Sequence, residues 1–312
     1  MTSKKLKEKV IKSSLFLCAA FSIFVVIFIF TFLMYNGYPA VAGFFMNGIS
    51  WFDQGGLNSQ AGIGLVILLN LDTTVYLALG ATALAVMVGV PCAIYMAEFA
   101  DMRIRNLTKT TLEVLDGFPS IVIGLIGFTL LSAVKNPYSF SGYLHSLAGW
   151  DFLGSDLYAW LILMIMAFPV IATLSEDAFR AVSQDLREAS LGIGATKWQT
   201  TKEVLLPSAM PRIITAILLA LAASMGEMVA IYFVLGGTVT PTLLRSPTLI
   251  FNPLVQGQTL SINMEASYNG SLDGLGLPGP AVYFLGITLF VIVGLLNIAV
   301  RVISARTNKT TE

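Results

Sequence analysis

Two places in this chain hold residue types that an oily sequence has little reason to keep. The first is REASLGIGATKWQTTKEVLLP, residues 187–207, with five charges, two glycines, a tryptophan and a closing proline. The second is Glu227, a carboxylate inside an apolar run. Placed about nine residues from the outer end of its helix, Glu227 sits roughly 14 Å deep at about 1.5 Å per residue. A carboxylate at that depth must face a cavity or a partner. It is either a pathway or gate residue paired with a cation, or a packing glutamate bonded to neighbouring helices or simply protonated.

Enzyme chemistry finds no footing. His145 is the sole histidine and has no cysteine or clustered acid beside it in sequence, so no metal site is expected. GIGATK at 192–197 is not a phosphate loop, which needs G-x-x-x-x-G-K-[ST] after a strand. The chain is therefore expected to hold no cofactor, and any ATP is used by another polypeptide.

The elements that position these residues are membrane helices. Hydrophobic residues make up 56% of the 312 and charged residues only 12%, against roughly 25% charged in soluble domains. Six apolar stretches can cross a bilayer, near 14–35, 70–97, 112–134, 157–179, 211–236 and 280–303. All-α is the class that satisfies backbone groups in lipid with these runs. Sixteen of the 18 Lys and Arg then fall on one side, and only Lys135 and Arg245 fall on the other. The positive-inside rule puts both termini in the cytoplasm. Net charge is zero, so no nucleic-acid partner is implied.

The organisation expected is a cytoplasmic N-terminus and first span at 1–36, an outer loop at 37–69, a five-span core at 70–303 with a cytoplasmic loop at 180–210, and a tail at 304–312. The run from Leu15 to Met34 is too long for a signal-peptide core and reads as an uncleaved span. The sequon Asn269-Gly-Ser271 carries no weight. Trp51, Phe52, Trp150 and Tyr158 suit an outer membrane interface. Cys18 and Cys92 fall in apolar runs and imply no disulfide framework.

Within the cytoplasmic loop, the spacing predicts two short helices with an elbow at Gly192 and Gly194. Pro207 should stop the second, and Pro211 should begin the next span. Ala189, Ser190, Gly194 and Ala195 are small enough for another surface to come close, which suits docking of a soluble partner. A helix lying along the headgroups is the plainer alternative. Asp116-Gly-Phe-Pro119 breaks the third span, either as a kink at its cytoplasmic end or by opening backbone groups to a cavity. Glu176 and Asp177, ending the fourth span, are expected to join the docking face.

Residues Glu188 to Pro207 resemble the EAA motif of ABC importer permeases, with Glu188, Ala189, Gly194, Leu206 and Pro207 at the family spacing. Ser190 replaces the usual alanine and Val204 the usual isoleucine. The resemblance implies a type I importer permease fold and a coupling helix seated in a cleft of a separate ATPase. AIYMAEFA at 93–100, LEVLDGFPSIVIGLIGF at 112–128 and MGEMVAIYFVLGG at 225–237, with its Gly226-Glu227 pair, are similar to phosphate-specific permeases. The type with an outer segment before its second span fits better.

The resemblance further implies a second permease, two ATP-binding subunits, an extracytoplasmic phosphate-binding protein, surrounding lipid, and a prokaryotic cell membrane. A dianion would need positive ends of helices and hydroxyls such as Ser120 and Ser224. The family places an arginine four residues before the glutamate, where this chain has Ala223. Either the sister permease supplies the cation, or Glu227 is neutral, or the substrate is another oxyanion such as sulfate, molybdate or tungstate. A carrier working alone would show inverted repeats, and none is evident between the two halves.

Overall fold

The computed structural model describes residues 2–47, 63–132, 156–235, 259–262, 264 and 279–308, and every regular element among them is helical. Lys135, His145, Arg245, Trp51, Phe52, Trp150, the sequon and most of the outer loops lie outside the described residues.

Helix α1 spans Thr2–Asn47 and outruns the expected 14–35 at both ends, passing through Pro39. It is held by α9, Gly279–Asn308. The rings of Phe30 and Phe290 lie 5.3 Å apart, and those of Phe32 and Tyr283 5.9 Å apart. Between Val10 and Phe32, α1 presents a largely exposed apolar surface, as suits a helix in lipid. Because α2 begins at Ile63, the segment joining α1 to α2 is 48–62, shorter than the 37–69 expected from hydropathy.

Helix α2, Ile63–Ile94, packs most extensively on α5, Asp156–Arg180. A Cβ at Gly80 would come within 2.0 Å of the Trp160 ring, so only glycine lets the two helices approach this closely. Buried Leu77, Ala81, Ile162 and Leu163 form the core between them. Beyond Pro91, α2 continues into a wide helical turn at Tyr95–Phe99, where Ala100 N–H donates to the Tyr95 carbonyl at 2.8 Å, five residues back.

The third span is not one straight helix over 112–134. Helix α3, Met102–Asp116, meets α4, Ser120–Ser132, at 87° measured over Met102–Asp116 and Ser120–Thr129. Pro119 lacks an N–H and disfavours the helical conformation at Phe118, so the chain turns there. Helix α3 is amphipathic and buries only Leu112. Five described helices are long and apolar enough to cross a membrane, and a sixth span arises only by counting α3 and α4 together.

Helix α6, Gln184–Gly192, follows α5 through a short turn. Helix α7 then runs unbroken over Lys197–Gly226. Pro207 therefore does not stop a helix, contrary to the sequence expectation. The wide turn Thr200–Leu205 absorbs it: Leu206 N–H reaches the Thr201 carbonyl, five residues back. Bonding at that reach moves the carbonyl that a proline ring would otherwise meet.

The fifth span also departs from expectation. Helix α7 ends at Gly226, Glu227 takes an extended conformation (ψ 119°), and a new short helix α8 spans Val229–Leu235. Helix α8 packs on α4 and α5. A Cβ at Gly124 would lie 2.8 Å from the Ala230 Cα, so α4 and α8 are in backbone-close contact.

Candidate functional site: a cavity and a docking hairpin

A cavity of about 160 Å³ opens between the α3–α4 bend, α5 and the end of α7. Asp116 and Phe118 line it from the bend, Met166 from α5, and Ala223, Ser224 and Glu227 from α7. The two breaks in the backbone, at 117–119 and 227–228, thus face one space. The chain bends at Pro119, and Asp116 and Phe118 before it line the cavity.

Glu227 is half-buried. Its Oε1 accepts from Ala230 N–H at 3.2 Å, which caps the first turn of α8. No cation stands within ion-pair distance of it among the described residues. The cavity's two ionisable side chains are both carboxylates. Ser224 is buried. Ser120, at the start of α4, is half-buried and does not line the cavity, and Gly226 is exposed beside it.

The second site is the hairpin formed by α6 and the start of α7. Gly194 makes the elbow with φ +91°, a left-handed conformation that favours glycine. Ala195 N–H donates to the Ser190 carbonyl at 3.2 Å, closing the turn. Thr196 then begins α7 with a reciprocal cap: its hydroxyl accepts from Gln199 N–H, and Gln199 Oε1 accepts from Thr196 N–H.

Glu188, Ala189 and Gly194 are exposed along this hairpin. Ala195 is half-buried, Leu206 is half-buried in the cluster around Phe179 and Leu205, and Pro207 is exposed. Ser190 turns inward, where its Oγ lies 3.0 Å from Thr200 Oγ1. It ties the two arms together and does not line the outer surface. Four large apolar side chains stand out instead: Leu186, Leu191, Ile193 (88% exposed) and Trp198. Apolar exposure on a polar segment marks a contact surface.

An ion-pair network behind the hairpin had no signal in the sequence. Glu176 has no exposed surface, so it is part of the fold's interior and not of the docking face. Arg105 Nε lies 2.9 Å from its Oε1, Lys109 Nζ 2.9 Å from its Oε2, and Arg180 Nη1 3.7 Å from Oε1. Lys109 also reaches Asp177 at 2.8 Å. Arg187, on α6, pairs with Glu98 at 2.8 Å and donates to the Phe179 carbonyl at 2.6 Å. The pairs tie α3 to α5, and α6 to the end of α2. Partners some 70 residues apart leave no local pattern to read.

A profile of the family described as "Binding-protein-dependent transport system inner membrane component" matches residues 89–309. The chain is similar to two Bacillus subtilis proteins described as probable ABC transporter permeases. It is 32% identical to YqgH over 223 residues, which is 72% of this chain and 66% of YqgH. It is 29% identical to YqgI over 302 residues, 92% of this chain and 94% of YqgI. It is also 29% identical over 235 residues to the phosphate transport system permease protein PstA 1 of Mycobacterium tuberculosis, 72% of this chain and 65% of that protein. The chain thus spans nearly all of one relative and just under two thirds of the other two. Among solved structures, a chain of the inward-facing MetNI methionine ABC transporter matches with TM-score 0.53 at 19% identity, covering 78% of this chain and 96% of that one. A chain of the bacterial alginate ABC transporter matches with TM-score 0.52 at 16% identity, covering 96% of each. At these identities the likeness speaks for the fold, which is that of importer permeases.

Proposed function

Because this chain belongs to the family of binding-protein-dependent transport system inner membrane components, we propose that it forms half of the translocation pathway of an ATP-driven importer for inorganic phosphate. A second permease completes the pathway, two copies of a separate ATP-binding subunit dock beneath, and an extracytoplasmic binding protein delivers the anion. This chain holds no nucleotide. It sits in a prokaryotic cell membrane with both termini in the cytoplasm, as the distribution of Lys and Arg favours.

The observation that carries the coupling is the continuity of α7. One unbroken helix of 30 residues begins inside the hairpin at Lys197 and ends at Gly226, beside the cavity. At about 1.5 Å per residue it is roughly 45 Å long. A push on Ile193 and Trp198 by a docked ATPase moves the rod, and the rod's far end carries Ser224 and Glu227. The break after Gly226 is where the rod's movement meets α8, which is packed on α4 and joined to Glu227 through Ala230 N–H.

Phosphate as the cargo is supported by the similarity to PstA 1 and by the residues shared with phosphate permeases. This chain's cavity supplies carboxylates and a hydroxyl and no cation among the described residues. The positive charge that a dianion needs is therefore assigned to the sister permease. ATP-dependent uptake into vesicles containing the reconstituted complex tests both levels. Stimulation by phosphate-loaded binding protein, and not by sulfate or molybdate, is the expected result. Uptake of sulfate or molybdate alone would remove phosphate as cargo, and uptake without ATP would remove the importer itself.

A further inference from the structure

At the end of the bundle that carries the hairpin, a second concavity of about 390 Å³ is walled by Arg105, Arg180 and Arg187 together with Gln184, Met96 and Met102. That volume falls within the range of small-molecule sites. No carboxylate lines it. Of the acids nearby, Glu176 and Glu98 lie behind the arginines and are already engaged by them, while Asp101 and Asp185, next in sequence to Met102 and Gln184, are exposed at its edge and do not line it.

The arginines retain donors. A guanidinium has five N–H groups. Arg105 spends Nε on Glu176 and turns Nη1 to the Met102 sulfur at 3.9 Å. Arg187 uses Nη1 and Nη2 on Glu98 and the Phe179 carbonyl, while its buried Nε has no hydrogen-bond partner among the described residues. Arg180 is held only by a 3.7 Å contact and is 49% exposed.

Two helices also begin at this concavity: α3 at Met102 and α6 at Gln184. Neither N-cap residue, Asp101 or Ser183, places its side chain on the first-turn N–H groups. Free N–H groups at a helix start favour an anion. Three guanidinium groups from three helices and two helix starts surround the space with donors on several sides. A planar carboxylate is satisfied by one arginine fork, whereas this arrangement suits a tetrahedral oxyanion with several acceptor oxygens.

We propose that this pocket binds a phosphate group, carried either by free inorganic phosphate or by an anionic lipid headgroup. The site is separate from the cavity at Glu227 and does not depend on what the importer carries. Only its assignment to the cytoplasmic side rests on the proposed function.

The test uses the assembled transporter in a phosphate-free maltoside detergent. In one arm inorganic phosphate is titrated and followed by phosphorus NMR line broadening. In the other, phosphatidic acid is added and its retention read by native mass spectrometry. Gln184→Glu places a negative charge at the rim, at a helix start where an acid is tolerated, and Arg180→Gln removes the least committed arginine. Saturable binding in one arm, weakened about tenfold by Gln184→Glu and clearly weakened by Arg180→Gln at unchanged melting temperature, is expected and names the source. The proposal is overturned if the wild-type complex binds neither ligand, or if both variants bind as the wild type does. It is also overturned if hydrogen exchange finds the pocket covered by an acidic segment of the ATPase subunit with no phosphate group present.

Discussion

Ser190 Oγ and Thr200 Oγ1 meet at 3.0 Å across the docking hairpin, with both residues buried. One lies on α6, the arm proposed to dock the ATPase, and the other on the rod that leads to the cavity. This bond ties the two arms together. Ser190→Ala leaves the Thr200 hydroxyl without its partner, at a cost of about 1–3 kcal/mol. The double change Ser190→Ala with Thr200→Val removes both polar groups and should recover part of that loss. Thermal unfolding of the two single variants and the double variant measures the coupling. Strictly additive losses would show that the hydroxyls do not interact.

The elbow is tested by two glycines with different backbones. Nothing lies within 4 Å of a Cβ built at either Gly192 or Gly194, so no clash confuses the comparison. Only Gly194 has a positive φ. Gly194→Ala is expected to cost about 1–2 kcal/mol. Gly192→Ala, at the end of α6, should be neutral or slightly stabilising. The Gly194 variant should also retain less ATPase subunit on co-purification, with Gly192→Ala as the control.

Glu176 is the keystone of the network joining α3 to α5. Glu176→Gln leaves Arg105 and Lys109 without their carboxylate and should destabilise by about 3 kcal/mol, the lower end for breaking a buried pair, because both cations are partly exposed and regain water. Adding Lys109→Met should restore some stability. A melting temperature unmoved by Glu176→Gln would show that the carboxylate does not hold α3 to α5.

Glu227 separates a capping role from a transport role. Glu227→Ala removes the acceptor for Ala230 N–H, worth about 1 kcal/mol at a helix start. Glu227→Gln keeps an oxygen in that place and should melt near the wild type. Both variants should lose most ATP-driven uptake if the negative charge serves the pathway. Normal uptake by Glu227→Gln would leave the residue with the cap alone.

Apolar length made α2, α5 and α9 legible, because a bilayer demands long runs and little else ends them. The elbow at Gly194 was legible from its glycines. The break after Gly226 was not, because apolar residues continue on both sides and hydropathy does not register backbone direction. Pro207 misled for a related reason. Proline ends an ordinary helix, but a wide turn just before it removes the clash. Pro39 did not end α1 either. The buried position of Glu176 depends on cations from a helix about 70 residues away, which no local spacing could reveal. Asp116 and Phe118 reached the cavity only because α3 and α4 fold back at 87°.

The wide turn at Thr200–Leu205 holds one residue more than ordinary helical winding would take. Each residue of an α-helix advances the azimuth by about 100°. The stretch before the turn and the stretch after it are therefore out of phase by one step in numbering, though they belong to one continuous helix. Shortening the chain by one residue inside 200–205 would tighten the winding and leave both ends facing as they do now. The same deletion placed ten residues further on, where the winding is already regular, would swing Ser224 and Glu227 away from the cavity.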